Sequence, residues 1–267
     1  MFKKREGETR PAIFSPPPDG KVRATWIGHA TVLVQFEGHT VIFDPNWANW
    51  HGPVKRQREP GLDLRALPEL DLVLVSHAHF DHLHKPSLRV LEAQNGVVVP
   101  KGSATLVKSL RFSAVHEMAV WEEREIEGMR IVHTPSHHWG ARYGADTKRD
   151  YGGFLVGSGD RKVFHAGDSA YFEGFKEIGK RENICLALLP IGAYGAPSGR
   201  EVHMNPEEAL DAFEDLRAPL MMPMHFGTFP LGNEHPEEPI ERLKVEADKR
   251  GLLDRVIIAE AGEGVEV

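Results

Sequence analysis

The sequence predicts an α/β protein in which two packed β-sheets carry helices on their outer faces. Three observations lead there. Apolar runs of strand length occur in both halves of the 267 residues, and helix-like segments are interspersed among them. After residue 20 no internal repeat, low-complexity linker or shift in composition divides the chain, so residues 21–267 read as one domain.

Residues 1–20 are charged and then proline-rich, with Pro16, Pro17 and Pro18 in a row, and read as an extended arm. Strands follow at 22–27, 31–36 and 40–43, with turns at Gly28 and at Glu37-Gly38. A loop rich in Trp, Arg and Pro covers 45–63, and the apolar run Leu72-Val73-Leu74-Val75 makes 71–75 a buried strand. Helices at 86–94 and 103–110 flank a strand at 97–99, the first tolerating Pro86 in its opening turn. Further strands are expected near 119–126, 129–134, 152–157 and 162–166, a helix at 172–178, and a buried strand at 184–189. Asn205 caps a helix at 206–216. A strand at 220–224, a helix at 239–250 and a last strand at 256–259 complete the pattern.

The hydrophobic share of 41% and the charged share of 27% match an ordinary globular chain. A formal net charge of −7 argues against a general electrostatic grip on nucleic acid or anionic lipid. The single cysteine, Cys185, lies in an apolar run and has no partner for an intrachain disulfide, which fits a reducing compartment. The basic start has no apolar stretch behind it, and no window approaches about 18 uninterrupted apolar residues. Neither a signal peptide nor a membrane-spanning helix is therefore expected, and the cytoplasm is the default location.

The 15 histidines become informative through their placement. His77-x-His79-x-Asp81-His82 offers four metal-ligating side chains within six residues, directly after a strand that holds the start of the segment rigid. Neutral imidazole and carboxylate suit zinc, and also iron or manganese. Six residues do not easily wrap four side chains round one ion, so two adjacent ions are the easier geometry. The alternative is a histidine-rich surface loop. Three later segments have the form of further ligands: Thr134-Pro135-Ser136-His137-His138-Trp139, Phe164-His165-Ala166-Gly167-Asp168-Ser169 and Met222-Pro223-Met224-His225-Phe226-Gly227-Thr228. Strand ends position ligands well, and the glycines allow the backbone a close approach.

The order, spacing and strand-end setting of these segments resemble the metallo-β-lactamase superfamily, whose signature is HxHxDH followed by separated His, Asp and His ligands. The likeness runs from about residue 22 to residue 259. Within that superfamily the chain is most similar to the N-acyl-phosphatidylethanolamine phospholipase D branch. Thr25-Trp26-Ile27-Gly28-His29-Ala30-Thr31-Val32-Leu33-Val34, Ser136-His137-His138-Trp139, His165-Ala166-Gly167-Asp168-Ser169, His225-Phe226-Gly227-Thr228-Phe229 and Gly232-Asn233-Glu234-His235 carry the likeness. The ascorbate-phosphate lactonase branch is similar in pattern.

The resemblance implies an αββα sandwich with two divalent ions at one edge of the sheets, zinc first, with manganese or iron as alternatives. It implies that His77, His79 and His138 hold one ion, that Asp81, His82 and His225 hold the other, and that Asp168 bridges both. The family's x-His-Trp pattern selects His138 over His137. It implies a hydrolase of small-molecule or lipid phosphodiesters, in which a hydroxide shared by the ions attacks and Asp81 and Asp168 are the catalytic carboxylates. A lactonase is the alternative, and a redox di-iron protein a second. Against other members stand Cys185 in a hydrophobic strand instead of a cysteine ligand, and His79 where flavo-diiron proteins carry glutamate. The negative charge does not favour a tRNA-processing nuclease, so no nucleic-acid partner is expected. The oligomeric state is left open.

Asp44, in Ile42-Phe43-Asp44-Pro45, is a strand-end carboxylate that could accept the free N–H of a ligating histidine, or form a simple Asp-Pro turn. His29, His203 and His235 lie in family-like stretches, as pocket residues or as hydrogen-bonded structure. The loop 46–58 mixes Trp47 and Trp50 with Lys55, Arg56 and Arg58. That mixture suits peripheral contact with a membrane interface, or a packed crossover loop with a solvated basic end. His39, His51, His84, His116, His133 and His165 receive no role.

Overall fold

Side chains on a strand alternate between its faces, so a strand apolar at every position must be covered on both sides. β1 (Val22–Gly28) and β2 (Thr31–Phe36) are buried at every position and β3 (His39–Phe43) at its last three, although Arg23, Thr25, Thr31 and Gln35 interrupt the apolar pattern. A computed structural model describes residues 5–144, 146 and 148–267; residues 1–4 of the expected arm lie outside the described residues. The hairpin β4 (Trp50–His51) and β5 (Val54–Lys55) projects from the loop that follows β3. Strands β6 (Leu72–Leu74), β7 (Val97–Pro100) and β8 (Val115–Met118) extend the first sheet. The second sheet is built from β9 (Glu123–Ile126), β10 (Met129–Thr134), β11 (Gly153–Ser158), β12 (Arg161–His165), β13 (Leu186–Pro190) and β14 (Leu220–Met224). With β15 (Gly264–Glu266) returning to the first sheet, the orders are β15-β1-β2-β3-β6-β7-β8 and β14-β13-β12-β11-β10-β9.

Alternation along the first sheet divides its side chains between two cores. Ala24, Trp26, Val32, Val34, Val41, Phe43, Leu72 and Leu74 face the second sheet and pack with Ile131, Phe154, Val156 and Phe164. Ile27, Leu33, Ile42, Val73, Val97 and Val99 face outward. They are covered by Leu88 of α1 (Lys85–Leu88) and by Leu106 and Val107 of α2 (Ala104–Val107). The far side of the second sheet is covered by α3 (Gly174–Arg181), α4 (Pro206–Leu216) and α5 (Glu238–Lys249), through Phe175, Ile178, Leu210, Phe213 and Leu243. The layers are thus α, β, β, α. The Asn205 cap is present: its side chain accepts the Glu208 N–H at 2.9 Å, and Glu208 returns a bond to the Asn205 N–H at 3.1 Å.

Strand direction positions the site. β3, β6 and β7 run parallel, as do β12, β13 and β14. β1 is antiparallel to β2 and β2 to β3, so β1 also points with β3, and by the same reasoning β10 points with β12. The segments that end these strands share one edge of the sandwich.

Several local expectations need correction. The helix expected at 86–94 stops at Leu88, because Gln94 and Asn95 donate to Leu70 O and Asp71 O and pull the chain alongside the start of β6. The helix at 103–110 is cut to Ala104–Val107. The strand expected from 119 begins at Glu123, since Ala119 and Glu122 close a turn at 2.9 Å, and β8 just before it was not foreseen. Residues 256–259 form no strand, only a bridge between Val256 and Met221; the final strand is β15, antiparallel to β1. The arm packs on its own domain: Glu6 N–H donates to Gln57 O at 2.9 Å, and Arg10 N–H to Gly61 O at 2.7 Å. In the loop 46–58, Trp47 donates Nε1–H to Leu62 O and Arg56 is buried with its donors on Ala48 O and Asn46 O. It is a packed crossover loop, from which Trp50 emerges exposed with Lys55 over its ring.

Candidate metal centre

The segment after β6 is held by β3. Asp44, at the end of β3, accepts Ser76 N–H at 2.7 Å on Oδ1 and the Ser76 hydroxyl at 2.6 Å on Oδ2. Its Oδ2 also accepts Nδ1–H of His82 at 2.7 Å. That bond fixes the tautomer of His82 and turns the Nε2 lone pair towards the cluster. His138 is held in the same way, its Nδ1–H donating to Val202 O at 2.9 Å and its Nε2 facing inward. His29, Asp44 and His225 have φ of 54°, 43° and 60°, a left-handed conformation that side-chain-bearing residues seldom adopt and that clusters at functional sites.

Two groups of donors result. His77 Nε2 lies 2.9 Å from His79 Nδ1, and His138 Nε2 lies 3.2 Å from the same atom. Nitrogens sharing one tetrahedral ion at about 2.0–2.1 Å stand about 3.3 Å apart, so the spacing suits a common ion. With Asp168 they form a set whose ligand atoms lie within 4.8 Å of one another. Asp81, His82, His225 and His29 form a second such set, and Asp168, His203 and His225 a third. Asp168 stands between them: Oδ2 is 3.1 Å from His82 Nε2 and 3.8 Å from His77 Nε2, and Oδ1 is 3.2 Å from His225 Nε2. The first sheet contributes His29, Asp44 and the residues 77–82, and the second contributes His138, Asp168 and His225.

Burial and charge act in opposite senses here. Burial disfavours an ionised Asp81 and Asp168, but His82 and His225 outweigh it and hold both carboxyls well below the usual range. Burial equally opposes charge on His82 and His225, yet the surrounding carboxylates raise His82 well above the imidazole range and His225 to about 9. His29 and His138, dominated by burial, fall to about 3. His77, His79 and His138, kept neutral by burial, beside ionised Asp81 and Asp168 are the donor chemistry of a divalent cation, and the raised His82 and His225 show the carboxylates drawing positive charge to the same place. His82 Nε2, His225 Nε2, Asp168 Oδ1 and His203 Nδ1 are buried without a hydrogen-bond partner among the described residues. Buried polar atoms are normally satisfied, so these orphans pointing into one space fit a metal centre.

The other sequence-selected residues separate clearly. His29 donates Nε2–H to Asp81 Oδ2 at 2.8 Å, and His203 Nδ1 is 3.9 Å from Asp168 Oδ2. His235 is not brought to the site: it is exposed, with Nδ1 accepting the Glu237 N–H at 3.4 Å. Exposed His137 likewise stands aside, whereas its neighbour His138 is buried. Three supports were given no role by the sequence, although Glu234 lies in a family-like stretch. Asn46 donates to Asp81 O at 2.7 Å, and Glu234 accepts the N–H groups of Ala193 and Gly195 at 2.6 and 3.0 Å. Arg142 donates to the carbonyls around His79.

Comparisons with known proteins agree with this architecture. A family model described as a β-lactamase superfamily domain matches residues 39–226. An uncharacterized protein of Mycobacterium tuberculosis is 29% identical over 85% of this chain, which spans only 64% of that relative's length. N-acyl-phosphatidylethanolamine-hydrolyzing phospholipase D 1 of Caenorhabditis elegans is 34% identical over 85% of this chain and 70% of its own. A UPF0173 metal-dependent hydrolase of Methanopyrus kandleri is 33% identical over 92% of this chain and all of its own. A solved metallo hydrolase from Ignicoccus hospitalis has the same fold, with a TM-score of 0.67 at 23% identity, covering 92% of this chain and 98% of the other. The matched family model, these relatives and the shared sandwich place the chain in one group: it belongs to the metallo-β-lactamase superfamily.

Proposed function

We propose that the chain is a metal-dependent hydrolase that holds two divalent ions, zinc first, and cleaves a phosphodiester. The observation that carries this reading is the pair of donor groups joined at one buried carboxylate, Asp168. His77, His79 and His138 would hold one ion, Asp81, His82 and His225 the other, with Asp168 between. When bound, such ions lower the pKa of a shared water and stabilise charge developing on the substrate oxygens. The protein's own part is to fix the donors, through Asp44 on His82 and Val202 O on His138, and to exclude bulk water by burying them.

His203 is the side chain suited to assist the leaving group. Its Nδ1 is buried, has no hydrogen-bond partner among the described residues and lies 3.9 Å from Asp168 Oδ2, within reach of a group leaving from the site. We expect His203→Gln to lower kcat about 100-fold on a diester with a poor leaving group, and far less with a p-nitrophenolate leaving group. Equal losses on both substrates would remove this role. The substrate class follows the Caenorhabditis relative, which is named for hydrolysis of an N-acylated phospholipid. Exposed Phe80 and Trp139 beside His79 offer an apolar rim for the tail of such a molecule. A cytoplasmic enzyme meeting its substrate at a membrane surface is the setting this implies.

The test is turnover by metal-free protein reloaded separately with Zn²⁺, Mn²⁺ or Fe²⁺, on phosphodiesters and lactones together. Diester cleavage supports the reading. Lactone cleavage with inert diesters makes the chain a lactonase, and iron with dioxygen consumption makes it a redox protein.

A further inference from the structure

The turn that carries His79, Asp81 and His82 satisfies little of its own backbone: His82 and Leu83 N–H groups share the single acceptor His79 O, at 3.3 and 2.9 Å. The buried carbonyls of such a turn need donors from elsewhere. Asn46 supplies Asp81 O, and one further side chain serves three others. Arg142 Nη1 lies 2.9 Å from Ala78 O, 3.2 Å from His79 O and 2.7 Å from Leu83 O. The residue is 7% exposed, and its guanidinium lies over the Phe80 ring, 3.8 Å from the centroid. Arg142 follows His138 by four residues in the same loop. The loop that presents His138 Nε2 therefore also grips the main chain of His79, whose Nδ1 is 3.2 Å from that nitrogen.

We propose that Arg142 is a positioning residue, a clamp that sets the spacing between His79 and His138 and hence the affinity of the ion they share. The proposal rests on the two-ion reading above. Buried Arg142 directs its hydrogen bonds to main-chain carbonyls, an arrangement that stabilises one loop geometry rather than a charge pair. Lysine offers donors on a shorter stem without the planar fork, so it recovers the clamp in part.

The test uses metal-free full chain titrated with Zn²⁺ alone against a chromophoric chelator, with thermal melting in parallel. Asp81→Ala provides a background in which His77, His79 and His138 are the intact donor triad. In that background Arg142→Ala should weaken Zn²⁺ binding about 10–100-fold, the usual effect of removing support from a ligand. Arg142→Lys should restore most of the loss. In the otherwise wild-type chain, the ion held by Asp81, His82 and His225 should change little. Unchanged affinity in Arg142→Ala overturns the clamp, as does an equal loss at both sites with no rescue by lysine. Failure of the wild-type chain to take up Zn²⁺ overturns the two-ion reading itself, which separates the two failures.

Discussion

Asp168→Ala should abolish hydrolysis, lowering kcat/KM by about 1,000-fold or more, the scale of the several kcal/mol that a two-metal clamp contributes. The carboxylate lies within 3.9 Å of nitrogens from five histidines: His77, His82, His138, His203 and His225. Among the described residues it is the carboxylate grouped both with His77, His79 and His138 and with His203 and His225. Without it, imidazoles from the two sheets face one another with no shared counter-charge. Asp168→Asn separates charge from shape, because the amide fills the same volume and carries no charge. Comparable losses in both variants, measured with metal-loaded protein, identify charge as the property that matters. Full activity in the asparagine variant would contradict the bridging role.

Asp44→Ala should damage metal binding and folding together. The carboxylate is 1% exposed and accepts from Ser76 N–H, the Ser76 hydroxyl and His82 Nδ1–H. Alanine strands these buried donors, at about 1–3 kcal/mol for each left unsatisfied. It also frees the His82 ring to turn, so Zn²⁺ affinity at the Asp81, His82 and His225 donors should fall about 10–100-fold. Asp44→Asn keeps an acceptor for the Ser76 N–H and should melt closer to wild type while losing most of the same affinity. The pair of variants is read by calorimetric melting of metal-free protein and by chelator competition. A loss of stability with unchanged affinity would reduce Asp44 to a turn-former.

What could be read from sequence follows from where local pattern and tertiary demand agree. β6 is a continuous apolar run and β1, β2 and β3 are apolar at most positions, and any sheet that buries both faces selects them. β8, with the sequence Val115-His116-Glu117-Met118, has neither alternation nor an apolar run; it exists because β7 offers an edge to pair with. The expected strand at 256–259, Val256-Ile257-Ile258-Ala259, is apolar throughout, yet it meets β14 only at the Val256–Met221 bridge, and the chain then turns to bring β15 back to β1. Ligand types and spacing were legible because chemistry restricts them to a few residues. Arg142 and Asn46 were not, because a hydrogen bond to a main-chain carbonyl leaves no trace in the identity of its acceptor. His235 shows the converse: it lies in a family-like stretch, yet its ring turns to the local backbone.

The donors come from both sheets, so an ion held between them is also a rivet through the sandwich. Binding at about 1,000 times Kd contributes about 4 kcal/mol to the folded state. That energy falls on one seam, between the ends of β6 on one side and of β12 and β14 on the other. Chelation should accordingly do more than silence the enzyme. It should unzip that rim first, with amide exchange quickening at 75–83, 166–169 and 225–228 while the opposite rim stays closed. A resting chain stripped of its ions would behave as a sandwich hinged along the far rim, most vulnerable to proteases at the edge where its chemistry resides.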